Sequence, residues 1–600
     1  FFQDTSSQLI NGIATFFDFD NDGYLDLAIN TQNKPAELYR NEGKLFRKSS
    51  ITMPERFLLT GDFDSDGDED YLANNGSQLQ LVGNQGGNAN HWINVRLAAL
   101  AMESGKINHY GIGAQLEVRA ESLYQKKVVT QSVTHFGLGS RSKADVVRVV
   151  WNNGVPQNDF QPQANQTIVE KQILKGSCPF LYAWNGKQYA FVTDLMWRSA
   201  LGMPLGFLGA SSQQYAFPDS TDEYLKIPAD ALQAVDDEYR IQITEELWET
   251  VYVDRTKLTI VDHPADVDVY IDEKFVLPPF PQVHVYGIRK KILPISATDG
   301  AGVNVLPEIL HEDERYVAGL QPTRYQGITE MHDLILDPGN ISDKGKLLLF
   351  LKGWIFPTDA SINVAIRQTA AVRSVQPYLQ VMNQNGEWQT ILENISFPMG
   401  KNKMMILDLA GKYLTNDHRI RIRTNLQIYW DAAFFAIEET NVPTLTKSLS
   451  PSHADLHYRG FSKLYRKNEY GPHLFDYNDV TKENRWRDLE GYYTRYGDVT
   501  PLLQESDDQY VILNSGDEIS IAFSAASIPL VKPGWKRDFL IYNDGWIKDG
   551  DLNTAYSKTV EPLPFQNMRQ YPYGSNESYP KDDIHKRFLQ TYNTRKVSSR

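Results

Sequence analysis

The nine residues Asp18-Phe19-Asp20-Asn21-Asp22-Gly23-Tyr24-Leu25-Asp26 constrain this chain most, because they recur as Asp62-Phe63-Asp64-Ser65-Asp66-Gly67-Asp68-Glu69-Asp70. Both copies read D-F-D-x-D-G-x-x-D. Carboxylates at loop positions one, three, five and nine, with a main-chain carbonyl at seven, are the donors a hard cation takes, and Gly at six permits the sharp turn. The expected Ca²⁺ ligands are Asp18, Asp20, Asp22 and Asp26 with the carbonyl of Tyr24, and Asp62, Asp64, Asp66 and Asp70 with the carbonyl of Asp68. Without a cation these acids repel one another. An EF-hand would need a bidentate Glu at position twelve, where this chain has Ile29 and Ala73, and no helical pattern follows. Leu25, Leu27 and Ile29 alternate instead, which predicts a strand leaving the loop.

The two loops start 44 residues apart, a period that fits a four-stranded propeller blade. Further strands are expected at Ala36-Glu37-Leu38-Tyr39-Arg40 and Leu79-Gln80-Leu81-Val82. Two blades cannot close a propeller, which needs at least about four. The net charge of −15 argues against nucleic acid and anionic lipid as partners. No apolar run is long enough to span a membrane. The opening Phe1-Phe2-Gln3-Asp4 has neither the basic head nor the apolar core of a signal peptide, so a processed chain or a part of a longer one is expected. Cys178 is the single cysteine. It can form no internal disulfide, which favours a bacterial-type exported protein held by metal and large cores.

The acidic loops, followed by Leu38-Tyr39-Arg40-Asn41-Glu42-Gly43, resemble FG-GAP/VCBS repeats. Four further motifs resemble the ASPIC/UnbV module. They are His91-Trp92-Ile93-Asn94-Val95-Arg96-Leu97, Gly111-Ile112-Gly113-Ala114-Gln115-Leu116-Glu117-Val118, His135-Phe136-Gly137-Leu138-Gly139 and Val147-Arg148-Val149-Val150-Trp151-Asn152-Asn153-Gly154. Together they are similar to exported proteins of the cartilage acidic protein type. The resemblance implies Ca²⁺-binding propeller-type blades with a small appended β-domain, and it implies no catalytic role. His135 reads as a structural histidine, with a ligand or base role as the alternative.

Beyond residue 171 the pattern stays β. Phe180–Trp184 and Gln188–Val192 flank Asn185-Gly186-Lys187, a hairpin with a type I′ signal. The apolar, Gly-rich stretch 201–209 lacks the spacing of a phosphate loop. The best enzymatic candidates are Glu245, Glu246 and Glu249 around Trp248, with Asp194, Asp254 and Asp262-His263. A glycosidase needs such paired carboxylates beside an aromatic face. Residues 336–440 resemble a galactose-binding-like jelly roll, with Arg419, Arg421 and Arg423 on the outer side of an edge strand. Residues 441–456 read as a linker. The acidic, Gly-rich stretch 544–553 is a candidate third cation loop, a short helix is expected at 582–592, and the basic tail 595–600 reads as a solvated end.

The expected fold is mostly β and multidomain, with Ca²⁺-binding β-propeller-type blades followed by β-sandwich and jelly-roll domains. The expected domains are 1–90, 91–170, 171–335, 336–440 and 441–600. The expected function is that of a calcium-stabilised exported binding or adhesion protein, or a structural subunit of an extracellular assembly. The alternative is a carbohydrate-active enzyme with catalytic carboxylates in 171–335. A protein partner or self-association is expected, with carbohydrate as a further ligand class. The expected location is extracellular, at the cell surface or periplasmic.

Overall fold

The computed structural model describes residues 12–598 apart from 32–33, 44, 54–55, 75–76, 100–106, 153, 173–178, 206–214, 342–344 and 440–441. Cys178 and the end of the Gly-rich stretch, Gly206 to Gly209, lie outside the described residues. The chain divides into two compact units, 1–101 with 107–174, and 102–106 with 175–600. Strands dominate both.

In the first unit, Gly12–Phe17, Asp26–Thr31, Glu37–Asn41 and Phe46–Thr52 form a four-stranded antiparallel meander. A second meander has three strands among the described residues, Phe57–Gly61, Asp70–Asn74 and Leu79–Val82. Each acidic loop joins the first strand of its sheet to the second. Phe17, Ala28 and Leu38 of the first sheet share one small core with Phe57, Tyr71 and Ala73 of the second. The Phe17 and Phe57 rings lie 5.2 Å apart. The sheets stay open among the described residues and form no closed propeller. The rest of the unit is a sandwich. Leu123–Val128, Gln115–Ala120, Val146–Val150 and Pro156–Phe160 make one sheet; Thr134–Gly139, His91–Ala98 and Gln166–Lys171 make the other. The expected boundary at 90/91 therefore falls inside one compact unit.

The second unit holds two sandwiches. One is built from strands far apart in sequence. Tyr189–Asp194, Phe180–Trp184, Glu238–Thr244, Asp517–Ser524, His453–Tyr458 and Gly497–Asp498 run through one sheet. Glu223–Ile227, Trp535–Asp549, Glu249–Pro264 and Leu445–Leu449 run through the facing one. Trp535–Asp549 and Glu249–Pro264 pair over nearly their whole length, from Glu249 opposite Asp549 to Pro264 opposite Trp535. The expected domains 171–335 and 441–600 thus contribute strands to the same two sheets. The second sandwich sets Ser296–Asp299, Ile328–Asp337, Ile420–Leu426, Tyr378–Met382 and Trp388–Leu392 against Lys403–Asp408, Leu347–Ile355 and Ile428–Ile437. Its core takes Leu334, Leu336 and Ile422 from the first sheet and Leu349, Leu351 and Phe435 from the second.

Several local expectations change. The segment read as a linker contains two strands, Leu445–Leu449 and His453–Tyr458. The first is an edge strand with exposed side chains, so its polar composition disguised it. Ile420–Leu426 is an interior strand, with neighbours on both sides. Its arginines are engaged: Arg421 with Gln380 at 2.7 Å, Arg423 with Asp333 at 3.4 Å, and Arg419 with Asp417. The proposed third cation loop is mostly continuous strand, and the Lys548 ammonium is buried against the carbonyls of Val560 and Glu561 and the Tyr571 hydroxyl. The tail forms a strand, Arg595–Val597, paired with Gly491–Tyr493. At the 185–188 turn only Gly186 has positive φ, 91°, and the Asn185 side chain accepts the N–H groups of Lys187 and Gln188 at 3.0 Å. A type I′ turn would need positive φ at both central residues. The helix expected near 582–592 spans Asp583–Thr591 and is capped by Asp582.

A buried polar cluster ties the two sandwiches of this unit together. Asp194 and Lys403 are almost wholly inaccessible, and their charged groups lie 2.9 Å apart. Glu223 is also fully buried, and burial pushes its carboxyl up to about 7, with the Met196 N–H, Lys403 and Arg198 opposing. A carboxyl whose folded pKa is raised binds more protons folded than unfolded. Its contribution is present below the unfolded pKa of about 4.3 and is lost as pH rises towards 7. The second unit is expected to lose stability across that window. Glu223→Gln is expected to flatten this part of the profile, as read from urea midpoints at pH 5 and pH 7.5. An unchanged slope would refute the assignment to Glu223.

Candidate metal centre

The two acidic loops fold alike. Position four has left-handed φ in both, 55° at Asn21 and 64° at Ser65, and so has the glycine at six, 91° at Gly23 and 96° at Gly67. This conformation turns main-chain N–H groups inward. The Asp18 carboxylate accepts the N–H of Asp22 at 3.1 Å and of Gly23 at 2.9 Å. Asp22 accepts the N–H of Tyr24 at 2.8 Å. In the second loop Asp64 accepts from Asp66 at 3.2 Å and Asp66 from Asp68 at 3.3 Å.

The carboxylates gather in two groups. One oxygen each of Asp18, Asp20 and Asp22 lies within 4.8 Å of the others, and the same holds for Asp62, Asp64 and Asp70. Asp26 and Asp70 have a matching second role at the loop base. Asp26 accepts the N–H of Phe19 at 2.8 Å and of Asn41 at 2.7 Å; Asp70 accepts those of Phe63 at 2.9 Å and Asn84 at 2.8 Å. Asp26 is not within the first group. Asp66 is not within the second, and accepts from the Asn88 side chain at 2.8 Å. The Tyr24 side chain is exposed. The Asp68 side chain is buried, with Oδ2 accepting the N–H of Asn88 at 3.1 Å.

Burial sets the electrostatics. It pushes Asp18 up to about 7, with Lys127 opposing and Asp22 and Asp26 adding to it. Burial likewise pushes Asp26 and Asp68 up to about 6. Asp20 Oδ1, Asp62 Oδ1 and Asp68 Oδ1 are buried oxygens with no hydrogen-bond partner. Buried polar atoms are normally satisfied, and an oxygen left over among acids is what a cation would use. The positive charges at hand are Arg40, paired with Asp20, and buried Lys127, which faces Asp18 and Glu69. The donor set is all oxygen and fits Ca²⁺ chemistry.

Residues remote in sequence brace the loops. Asn21 Nδ2 donates to the Gly67 carbonyl at 2.8 Å and so joins one loop to the other. Asn84 Nδ2 donates to the Phe19 carbonyl and Asn90 Nδ2 to the Asp20 carbonyl, both at 2.7 Å. His135 is buried with its ring nitrogens 2.6 Å from Asn21 Oδ1 and 2.8 Å from Asn94 Oδ1, and Asn94 Nδ2 lies 3.3 Å from Asp62 Oδ2. Burial, with Lys127 adding to it, pushes His135 down to about 3. Lys127 donates to the His135 carbonyl at 2.7 Å. Close approach requires glycine at two points. A Cβ on Gly137 would lie 2.2 Å from Asp18 Oδ2, and one on Gly67 would lie 1.9 Å from the Trp92 ring. Asn21, Asn84, Asn94, Lys127 and His135 were not expected as parts of the site. The glycines of the His135-to-Gly139 motif were the one sequence signal of a tight approach.

Of the enzymatic candidates, Glu245 lies near Glu249 and Glu246, whose charges add to burial in pushing its carboxyl up, while most of the set is held by other partners. Glu246 is held by Arg459 at 3.0 Å and Ser462 at 2.7 and 2.8 Å. Glu245 accepts the Leu247 N–H at 2.7 Å, and Asp254 those of Asp507 and Asp508. Asp262 takes both arms of Arg537, and His263 lies 3.2 Å from Asp538. Asp194 faces Lys401 and Lys403. Glu249 alone among these carboxylates lines a large cavity of the second unit.

His135→Ala is expected to destabilise the first unit by about 1–3 kcal/mol by stranding two buried amides, measured by chemical denaturation. No loss of stability would mean that His135 does not brace the loops.

No curated protein matches this chain. Among solved structures, that of the Corynebacterium diphtheriae major pilin SpaA, described as pointing to a modular pilus assembly stabilizing isopeptide bonds, is similar at 10% identity. It covers 59% of this chain and 87% of that chain with a TM-score of 0.10, and carries no argument about fold. Residues 18–73 match the FG-GAP-like repeat family, and residues 105–173 match the ASPIC and UnbV family. The chain therefore carries an FG-GAP-like repeat, which contains both acidic loops, followed by an ASPIC/UnbV domain, which supplies His135 and Lys127 behind them.

Proposed function

We propose that this chain is a calcium-stabilised, exported binding or adhesion protein, or a structural subunit of an extracellular assembly. The observation that carries the reading is the pair of alike acidic loops with buried, unbonded carboxylate oxygens at Asp20, Asp62 and Asp68. Asp18, Asp20 and Asp22 would hold one Ca²⁺, and Asp62, Asp64 and Asp70 a second. The bound cations would supply the charge that the buried acids lack. An extracellular, surface or periplasmic setting suits such sites, because free calcium is abundant there and the weak affinities of extracellular modules suffice.

A binding role is supported by the faces of the two open sheets. Ile13 and Phe16 on the two faces of the first sheet, and Leu79 and Leu81 on one face of the second, are each more than half exposed. Exposed apolar side chains such as Leu79 and Leu81 on a small open sheet suit a surface that another protein or a second copy covers. The carbohydrate-active alternative has one observation in its favour, Glu249 in the cavity wall. The other candidate carboxylates are engaged with their own chain.

Calcium titration of the chelated protein is expected to raise the melting temperature of the first unit. A hundredfold excess over Kd corresponds to about 2.7 kcal/mol. Asp20→Asn and Asp64→Asn are each expected to remove part of that gain. A melting profile indifferent to both EDTA and calcium would sink the metal reading. Light scattering tests the partner reading separately, and a strictly monomeric chain that captures no partner would count against it.

A further inference from the structure

A cavity of about 1000 Å³ opens between the two sandwiches of the second unit. That volume sits at the upper end of small-molecule sites. Its walls are apolar and aromatic, with Trp197, Phe217, Phe275, Phe356, Phe397 and Ile547 among them. Three arginines also line it, Arg198, Arg367 and Arg373. Arg198 is buried. Its Nη1 donates to the Asp222 carbonyl at 2.9 Å, and its guanidinium stacks on Phe280 at 4.8 Å. Its Nε has no hydrogen-bond partner. Arg367 and Arg373 are exposed at the C-terminal end of helix Ala360–Arg367 and just beyond it, and their side chains make no ion pair or hydrogen bond among the described residues.

Two of the wall acids are occupied. Asp359 caps the helix by accepting the Ile362 N–H at 2.7 Å. Asp549 accepts the Asp551 N–H at 3.0 Å and the Thr554 hydroxyl. Glu249 has interactions of its own, with Glu245 near it, but its Oε2 is a buried oxygen without a hydrogen bond. Arg198 is met by the Asp222 carbonyl and the Glu223 carboxyl, so the cavity combines an apolar interior with two cationic side chains, Arg367 and Arg373, at its wall. We propose that it binds an amphiphile with an apolar body and one anionic head, the body between the aromatic walls and the head against Arg367 and Arg373. An oligosaccharide fits less well, because its hydroxyls would meet few partners on these walls. The proposal is independent of the metal reading, since the cavity lies wholly within the second unit.

The test uses cis-parinaric acid, a fluorescent polyene carboxylate, and the matching uncharged alcohol as probes on the full chain. The acid is expected to bind saturably and one to one, about tenfold more tightly than the alcohol, as one charged hydrogen-bonding contact allows. Arg367→Gln with Arg373→Gln, both at exposed positions, is expected to remove that preference while leaving alcohol binding unchanged. Leu205→Trp at the cavity rim is expected to weaken both probes. No saturable binding would overturn the proposal. Equal affinity for acid and alcohol would overturn its anionic part, as would an acid preference that survives the double substitution. Displacement of the probe by a neutral oligosaccharide would overturn the ligand class.

Discussion

Burying a carboxylate costs free energy unless a positive charge or several hydrogen-bond donors meet it, and the first unit depends on how that cost is met. Its two acidic loops place Asp18, Asp26, Asp68, Glu69 and Asp70 out of solvent around a core of only a few apolar side chains. Main-chain N–H groups satisfy many of the oxygens, and the left-handed residues at positions four and six exist to aim them. Three oxygens are left over. The loops are therefore elements whose shape is set by hydrogen bonding and whose leftover acidic oxygens could meet a cation.

The same logic explains the asparagines and the histidine. An amide both donates and accepts, so it can bridge two loops without adding charge to an already acidic site. Asn21 does this between the loops, and Asn84 and Asn90 tie the loop carbonyls to the segment that leads into the sandwich. His135, buried between the two amides, extends the bridge from Asn21 to Asn94. A charged bridge at these positions would either compete for the carboxylates or add to their repulsion. In the second unit the balance is struck differently. Asp194 is buried against lysines, and burial raises the Glu223 carboxyl to about 7 against the Met196 N–H, Lys403 and Arg198.

What could be read from the amino-acid order follows from where each interaction partner lies. The acidic loops were legible because their carboxylates, the glycine and the exit strand all fall within one short stretch. The bracing residues were not, because Asn84 meets Phe19 across 65 positions and His135 meets Asn21 across 114. Their spacing carries no period. Alternation correctly gave strands such as Ile420–Leu426, but not their neighbours, so an interior strand was read as an edge. The segment Leu445–Leu449 was missed for the converse reason: an edge strand with exposed Thr, Lys and Ser has the composition of a linker. Division of the last 430 residues into successive domains failed at one point of topology. Glu249–Pro264 pairs with Trp535–Asp549, and nothing local to either strand announces a partner that far away.

That long-range pairing has a consequence for where a ligand can sit. A sandwich closed by its own C-terminal strands must carry everything between them as an insertion, and the 296–437 sandwich is that insertion. Two bodies joined in this way meet along loops and strand ends, where backbone polar groups are satisfied by side chains and apolar faces pack less completely than in a sheet core. The cavity lies at that junction, between Ile547 on a long strand of one sandwich and Ile328, Ile355 and Phe397 of the other. The Asp194–Lys403 pair crosses the same junction. A pair so deeply buried is costly to separate, so it holds the two sandwiches in register while leaving the space beside it unfilled. The cavity is therefore a product of the chain topology, and of its arginines Arg367 stands on a helix of the inserted sandwich, Arg373 follows that helix, and Arg198 comes from outside the insertion.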